Sequence, residues 1–243
     1  YSVSDCILLY GDKAKKNLTS RGISPNKLFP IYNSLDYNKQ KFYRDKFNSF
    51  DQNKQSNIFK KKSFQVIFIG RLTLHKRIDL LLSAILTLLR LNYDINLILV
   101  GDGEARKELS SYVDENHEFK DRVCFYGKTY KEEEIANLVM SSDVCISPGE
   151  IGLTAMHVLA YGVPIITHDS EMKQMPEYEA IVERYNGSFY KYGDFDSLVS
   201  AIKNFIDNPI EDVCKKCIEI VELKYTPAVQ ISLIESVLKN ELG

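Results

Sequence analysis

Glycine and proline are scarce, twelve and seven in 243 residues, which excludes a collagen-like chain or a disordered linker. Long apolar runs are missing too. The longest uncharged one, near Leu80–Leu89, falls far short of the roughly 20 residues that cross a membrane. No sign of charge dominates: 31 basic against 33 acidic side chains leave a formal net charge of −2. Non-specific nucleic-acid binding therefore has no electrostatic driving force, and no nucleic-acid partner is expected. Cysteine is limited to Cys6, Cys124, Cys145, Cys214 and Cys217, an odd and scattered set that fits a reducing compartment. Cys214-Lys-Lys-Cys217 has no second pair at zinc spacing; with Ile218 and Val221 it reads as small apolar residues on one buried helical stripe. Asn17-Leu-Thr19 and Asn186-Gly-Ser188 match the glycosylation acceptor pattern, here taken as coincidence. The first residue is Tyr1 rather than Met, so no signal peptide is legible and the chain reads as cut from a longer one.

What remains, 44% hydrophobic and 26% charged residues, describes a globular protein of one large domain, or one domain plus a fragment. Apolar runs of strand length alternate with helical patterns. Phe64–Ile69 is a strand closed by Gly70, and Ile78, Leu81, Leu82, Ile85, Leu88 and Leu89 then recur at helical spacing. The unit repeats as strand Leu97–Val100 and helix Glu104–Tyr112, strand Val123–Tyr126 and helix Glu132–Met140, strand Val144–Ser147 and helix Thr154–Ala160, and strand Pro164–Thr167 before a polar loop. Strands apolar on both faces and alternating with helices predict an α/β fold, a Rossmann-like parallel sheet with helices on both faces.

The flanks differ. Val3–Leu9 and Leu28–Tyr32 are strand-like around a polar helix at Asp12–Arg21. Residues 37–62 hold eight basic side chains against Asp45 and Asp51, a stripe suited to anionic lipid headgroups or, more plainly, an exposed helix and linker. After Asp196 a helix turns Leu198, Val199, Ile202 and Ile206 inward. Thr226-Pro227 opens a last helix with Ile231, Ile234 and Leu238 in register.

Open parallel sheets bind ligands beyond the carboxyl ends of their strands, so the βα loops should carry the chemistry. Gly70-Arg71 follows the first strand of the main unit, with Lys76 at the start of the next helix. The helix dipole disfavours cations there, and an anion such as a diphosphate would explain both. Gly101-Asp102-Gly103 allows close backbone approach to a ligand or simply makes a tight turn. Arg106 stands where a dinucleotide fingerprint needs its third glycine, which weakens a nicotinamide reading.

Taken in order, Phe-Ile-Gly-Arg-Leu at 68–72 with Lys76, Leu-Val-Gly-Asp-Gly at 99–103, Val-Cys-Phe-Tyr-Gly at 123–127, Ser-Ser-Asp-Val-Cys-Ile-Ser-Pro at 141–148 and Ala-Tyr-Gly-Val-Pro-Ile-Ile-Thr at 160–167 resemble the GT-B-fold retaining glycosyltransferases of family 4. Pro176-Glu177, Asn186-Gly187 and Gly193-Asp194 continue the likeness, which covers about residues 64–206 and points to that family's carboxy-terminal, donor-binding half. The resemblance implies a division into 1–36, the end of an amino-terminal acceptor domain; 37–62, a basic linker; 63–225, the donor domain; and 226–243, a helix returning to the acceptor domain. The acceptor domain itself would lie upstream of Tyr1.

The same resemblance implies a donor nucleotide diphosphate sugar and a saccharide or lipid-linked saccharide acceptor. No cofactor or metal is implied, although His168, Asp169, Glu171 and Glu177 could be imagined as ligands. Location would be cytoplasmic, with peripheral contact at the inner membrane face. Arg71 and Lys76 would hold the diphosphate, and Gly70, Gly101 and Gly103 would line its loops. Gly127 and Lys128 would lie near the base, and Glu177 near the donor. The family places two glutamates eight residues apart, for sugar and ribose; here the aligned positions hold Gly149 and His157, with Glu150 one residue late. The run Gly149–His157, through Gly152, Leu153 and Thr154, resembles that of bacterial polysaccharide-type members. His157 would then meet the ribose, or pack under the sheet as an ordinary helical histidine. Glu150 would reach the sugar or be merely solvated. Two functions follow from different classes: a retaining glycosyltransferase, or a nucleotide-sugar-binding module without catalysis.

Overall fold

The computed structural model describes residues 4–49, 58–59 and 63–242. Its centre is a six-stranded parallel sheet of β3 (Phe64–Ile69), β4 (Ile95–Val100), β5 (Val123–Gly127), β6 (Val144–Ser147), β7 (Ile165–His168) and β8 (Gly187–Tyr190), in the order β5-β4-β3-β6-β7-β8. The strands are apolar on both faces because both are covered. Val66, Phe68, Leu97, Leu99 and Val144 face one hydrophobic cluster, shared with helices α3 (Ile78–Arg90), α4 (Arg106–Glu115) and α7 (Phe195–Asp207). Ile67, Ile98, Cys145 and Ile165 face the other, with α5 (Glu132–Met140), α6 (Thr154–Ala160) and α8 (Val213–Lys224). All six residues of β4 are buried, which accounts for its unbroken apolar sequence.

The chain starts at the middle of this sheet, winds outward to β5, then returns to β6 beside β3 and winds the other way. The connections leaving β3 and β6 therefore part in opposite directions, opening a crevice at the carboxyl end of the sheet. The strand β8 extends the sheet beyond the five strands expected. Its Gly-Ser start carries no apolar run, and tertiary contacts define it. The Asn186 side chain, at its entrance, donates to the Ala180 carbonyl at 2.9 Å and accepts from Val182 N at 2.7 Å.

Three other expectations change. Helix α2 (Tyr37–Ser49) keeps Lys39 and Lys41 exposed but is docked by its other face: Tyr37, Gln40 and Arg44 are buried, and the Arg44 guanidinium donates to the Ala160 carbonyl and to Tyr37 Oη. Charge count misleads here because one well-partnered arginine can line a helix–helix contact. Residues 50–57 and 60–62 of the same basic stretch lie outside the described residues. In α9 (Pro227–Leu242) the inward positions are Thr226, at its entrance, and Val237, while Ile231 and Leu238 are exposed. In α8 Cys217 and Val221 are buried but Cys214 is exposed.

The segment β1 (Ile7–Leu9), α1 (Asp12–Ser20) and β2 (Leu28–Pro30) forms its own two-stranded parallel sheet. It docks on the stretch after β7 through a distant cap. The Glu179 carboxylate accepts from Asp12 N at 2.9 Å and Lys13 N at 3.0 Å, satisfying helix amides that the sequence leaves uncapped locally. Gly11 permits this, since a Cβ there would overlap Glu179 Oε1.

Candidate functional site

The ends of β3, β4 and β5 are tied by their glycines. Gly70 N donates to Val100 O at 3.0 Å and Gly101 N to Gly127 O at 2.8 Å. Gly101 has φ +141°, and a Cβ on it would run into the Gly70 carbonyl oxygen. A Cβ on Gly103 would do the same against Leu72 O. Gly101 and Gly103 are thus required where the loop after β4 packs on the loop after β3, a role additional to the ligand approach or tight turn expected of them. Gly127 also has positive φ, +89°, but nothing lies near its missing Cβ.

Across the crevice, Gly149 N donates to Lys76 O at 3.1 Å, and a Cβ on Gly149 would overlap the His75 carbonyl. Lys76 sits in a 3-10 turn (Leu74–Lys76) just before α3 rather than in the helix itself. Its ammonium is already engaged, 2.8 Å from the Glu150 carbonyl oxygen and 3.5 Å from Glu150 Oε1. Lys76 thus fastens the β6–α6 loop to the β3–α3 loop. Glu150 keeps a half-exposed carboxylate at the strand end. The same loop is held from β7: Gln174 Oε1 accepts from Ile151 N at 2.8 Å while its Nε2 donates to Thr167 Oγ1 at 2.9 Å. Leu153 is largely exposed, and the Thr154 hydroxyl is 3.5 Å from Ile69 O.

Beside this junction lies a cleft of about 520 Å³, walled by Gly70, Arg71, Gly101, Lys128, Glu132 and His157 among others. Arg71 is exposed, and its guanidinium has no ion pair or hydrogen bond among the described residues; Lys128, also in the lining, is likewise exposed. The two exposed cations make this cleft receptive to an anion. The lining also holds a structured acidic group. Glu132 Oε1 accepts from Tyr161 Oη at 2.5 Å and pairs with His157 Nε2 at 2.6 Å. Burial would raise the Glu132 pKa, but the hydrogen bonds from His157 and Tyr161 outweigh it and hold the carboxyl below its ordinary range. His157 is therefore neither simply packed under the sheet nor a free imidazole: it is oriented by a carboxylate at the cleft.

Glu132 is the residue that sequence reasoning missed. It opens a helix already recognised, and only the packing of α5 near α6 brings it to His157, so no sequence spacing announces it. Glu177 is buried, with Oε1 accepting from Asn33 Nδ2 at 2.8 Å and Oε2 without a partner among the described residues. Its Oε2 lies 3.8 Å from where a Gly152 Cβ would be, outside the cleft but against the β6–α6 loop. His168 is fully buried; its Nδ1 accepts from Ser170 N at 3.2 Å, and desolvation lowers its pKa. His168, Asp169, Glu171 and Glu177 do not converge, and among the described residues no group of three His, Cys, Asp or Glu is placed to hold a metal ion. Among those residues, too, no helix is long and apolar enough to cross a membrane.

A second cavity, about 360 Å³, lies between α3 and α4 and is lined by Leu74, Arg77, Leu109 and Tyr112. It sits against helix sides and lacks the sheet-end glycines of the first.

The fold recurs in solved structures. HepE from Anabaena in complex with UDP superposes with a TM-score of 0.74 at 19% identity, covering 98% of this chain and 64% of that one. The apo form of the lipopolysaccharide outer core galactosyltransferase WaaB gives 0.73 at 18%, covering 98% and 63%. In sequence, an uncharacterized 41.2 kDa protein in the cps region of Klebsiella pneumoniae is 22% identical over 240 residues, 98% of this chain and 62% of that protein. The chain thus spans less than two thirds of the length of these relatives. The family model described as glycosyl transferases group 1 matches residues 49–223. With that match running from α2 to the end of α8, the chain belongs to the glycosyl transferases group 1 family.

Proposed function

We propose that this chain supplies the donor site of a glycosyltransferase that moves a sugar from a nucleotide diphosphate sugar to a hydroxyl acceptor. The observation that carries the reading is Arg71: an exposed guanidinium, unpaired among the described residues, at the end of the central strand, in a cleft at the carboxyl ends of β3, β4 and β5. A guanidinium can fork two phosphate oxygens, and in sugar transfer negative charge develops on the departing diphosphate. Arg71 stabilises that charge from the cleft, and Lys76 adds its own from the β6 side while holding the Glu150 loop. Lys128 and the backbone at Gly127 lie toward the base; Glu150 and the Gly149–Thr154 loop lie toward the sugar. The reaction proceeds with retention, the leaving diphosphate taking the acceptor proton at the face where it departs. No metal or cofactor joins this chemistry, since cations of the protein do the neutralising.

The bound UDP of HepE supports a uridine nucleotide, and the cps-region relative supports a saccharide or lipid-linked saccharide acceptor in surface polysaccharide synthesis. The acceptor is met by a further domain, and the acceptor's lipid draws the protein to the inner membrane face. A non-catalytic sugar-nucleotide module is the second reading, favoured by Gly149 and His157 standing where the family has glutamates.

Calorimetric titration with UDP, GDP, ADP and CMP tests the donor site. One nucleoside diphosphate should bind with a Kd between about 1 μM and 1 mM, roughly −8 to −4 kcal/mol. No heat with any of the four, or binding unchanged in an Arg71→Ala/Lys76→Ala double variant, contradicts the assignment. Binding without sugar transfer by the longer protein selects the second reading.

A further inference from the structure

We infer that Gln174 is a positioning residue: it sets the β6–α6 loop for reading the donor's sugar and so determines which sugar nucleotide the protein prefers. The inference rests on the donor-site reading above and adds to it a side chain from the segment after β7. The Gln174 amide joins three elements. Its Oε1 accepts from Ile151 N at 2.8 Å, and its Nε2 donates to Thr167 Oγ1 at 2.9 Å and to the His168 carbonyl at 3.0 Å. These partners leave the amide one orientation. A backbone N–H only donates and a backbone carbonyl only accepts, so the oxygen must face Ile151 and the nitrogen His168.

What Gln174 grips is a single peptide unit. The Glu150–Ile151 peptide gives its carbonyl to Lys76 Nζ at 2.8 Å and its N–H to Gln174, so loops that follow two different strands hold it from both ends. Ile151 is buried beneath. The next residue, Gly152, rests on the same segment as Gln174, with Met175 Cγ 3.5 Å from where a Gly152 Cβ would stand. That segment is anchored in turn: Gln174 N donates to the Glu171 carbonyl at 3.2 Å, and the Glu171 carboxylate pairs with Lys13 of α1 at 2.6 Å. The half-exposed Glu150 carboxylate therefore leaves a peptide whose plane cannot turn freely. Groups that discriminate among hydroxyl patterns need their directions fixed to within about half an ångström. Lys76 holds the peptide too, but it also brings charge. Gln174 is neutral and is not among the residues that wall the Arg71 cleft, so its loss acts through the loop alone.

The test is titration of the full chain with UDP and with UDP-glucose, UDP-galactose, UDP-N-acetylglucosamine and UDP-glucuronate. Wild type should separate the tightest from the weakest of the sugar nucleotides by about tenfold or more. Gln174→Ala should compress that spread to about threefold while its UDP affinity stays within about twofold of wild type, because the nucleotide does not depend on the loop. Gln174→Glu keeps the shape and an acceptor for Ile151 N, but sets a carboxylate oxygen against the His168 carbonyl. It should compress the spread in the same way, and it guards against a folding defect in the alanine variant; thermal melting of both reports that separately. Exchange of the Ile151 amide should quicken in each. A wild-type spread in a folded Gln174 variant, or no spread in wild type, overturns the inference while leaving the donor site standing. Parallel loss of UDP and of every sugar nucleotide makes Gln174 merely structural and overturns it as well. Absence of UDP binding in wild type removes the uridine donor reading and this inference with it.

Discussion

Gly101→Ala is expected to destabilise the protein by roughly 3–5 kcal/mol, the sum of a left-handed backbone imposed on an L-residue and an overlap that no rotamer can relieve. The new methyl would occupy the space of the Gly70 carbonyl oxygen, which is backbone in the central strand's exit loop and cannot swing away. Total stabilities of about 5–15 kcal/mol leave little margin for such a loss. Chemical denaturation measures it as a lowered midpoint. Gly127→Ala is the matched control: its φ is +89°, but nothing lies within 4 Å of the added carbon, so only the conformational cost of about 1–2 kcal/mol remains. Equal losses in the two variants would show that loop-against-loop packing is not what Gly101 provides.

Arg71→Ala is expected to act on binding alone. Loss of a forked guanidinium–phosphate contact costs about 2–3 kcal/mol, roughly thirty- to a hundredfold in nucleoside diphosphate affinity. The melting temperature should stay where it was, because the Arg71 side chain is exposed and engages nothing among the described residues. Arg71→Lys should restore only part of the affinity, since a point charge cannot fork two oxygens. Lys76→Ala differs in kind. Its ammonium ties the Glu150 carbonyl at 2.8 Å, so this change loosens the β6–α6 loop as well as removing charge, and both melting temperature and affinity should fall. An Arg71→Ala variant that loses stability but not affinity would make Arg71 structural.

Most of the fold is legible in the sequence because burial on both faces leaves long apolar runs: Phe64–Ile69 and Ile95–Val100 could hardly be anything but central strands. What escaped has the opposite character. β8 begins Gly-Ser and exists because Ile165, Ile166, Thr167 and His168 offer it an edge. Arg44 looks solvated by charge, yet the neighbouring Ala160 carbonyl and Tyr37 hydroxyl give its guanidinium buried partners. On α9 a helical period was visible, but which stripe faces inward is decided by what it meets, and Val237 rather than Leu238 meets it.

The candidate site divides the same way. Glycine positions and the Arg71 cation are legible because βα turns and phosphate chemistry restrict residue type locally. The role of Lys76 as a loop fastener and the Glu132–His157 pair are not, since each joins residues 74 and 25 positions apart through tertiary packing. The two aligned glutamates of the resembling family are absent at 149 and 157, and a carboxylate nonetheless reaches His157 from another helix.

Amide hydrogen exchange with and without UDP locates the nucleotide most directly. Protection should appear in the segments ending β3, β4 and β5, around residues 70–73, 101–103 and 127–132, and at the start of α6 around His157, with the outer ends of α3 and α4 unchanged. Protection centred on Arg77, Glu108 and Tyr112, in the cavity between those two helices, would contradict the placement of the donor site in the cleft at the carboxyl ends of β3, β4 and β5.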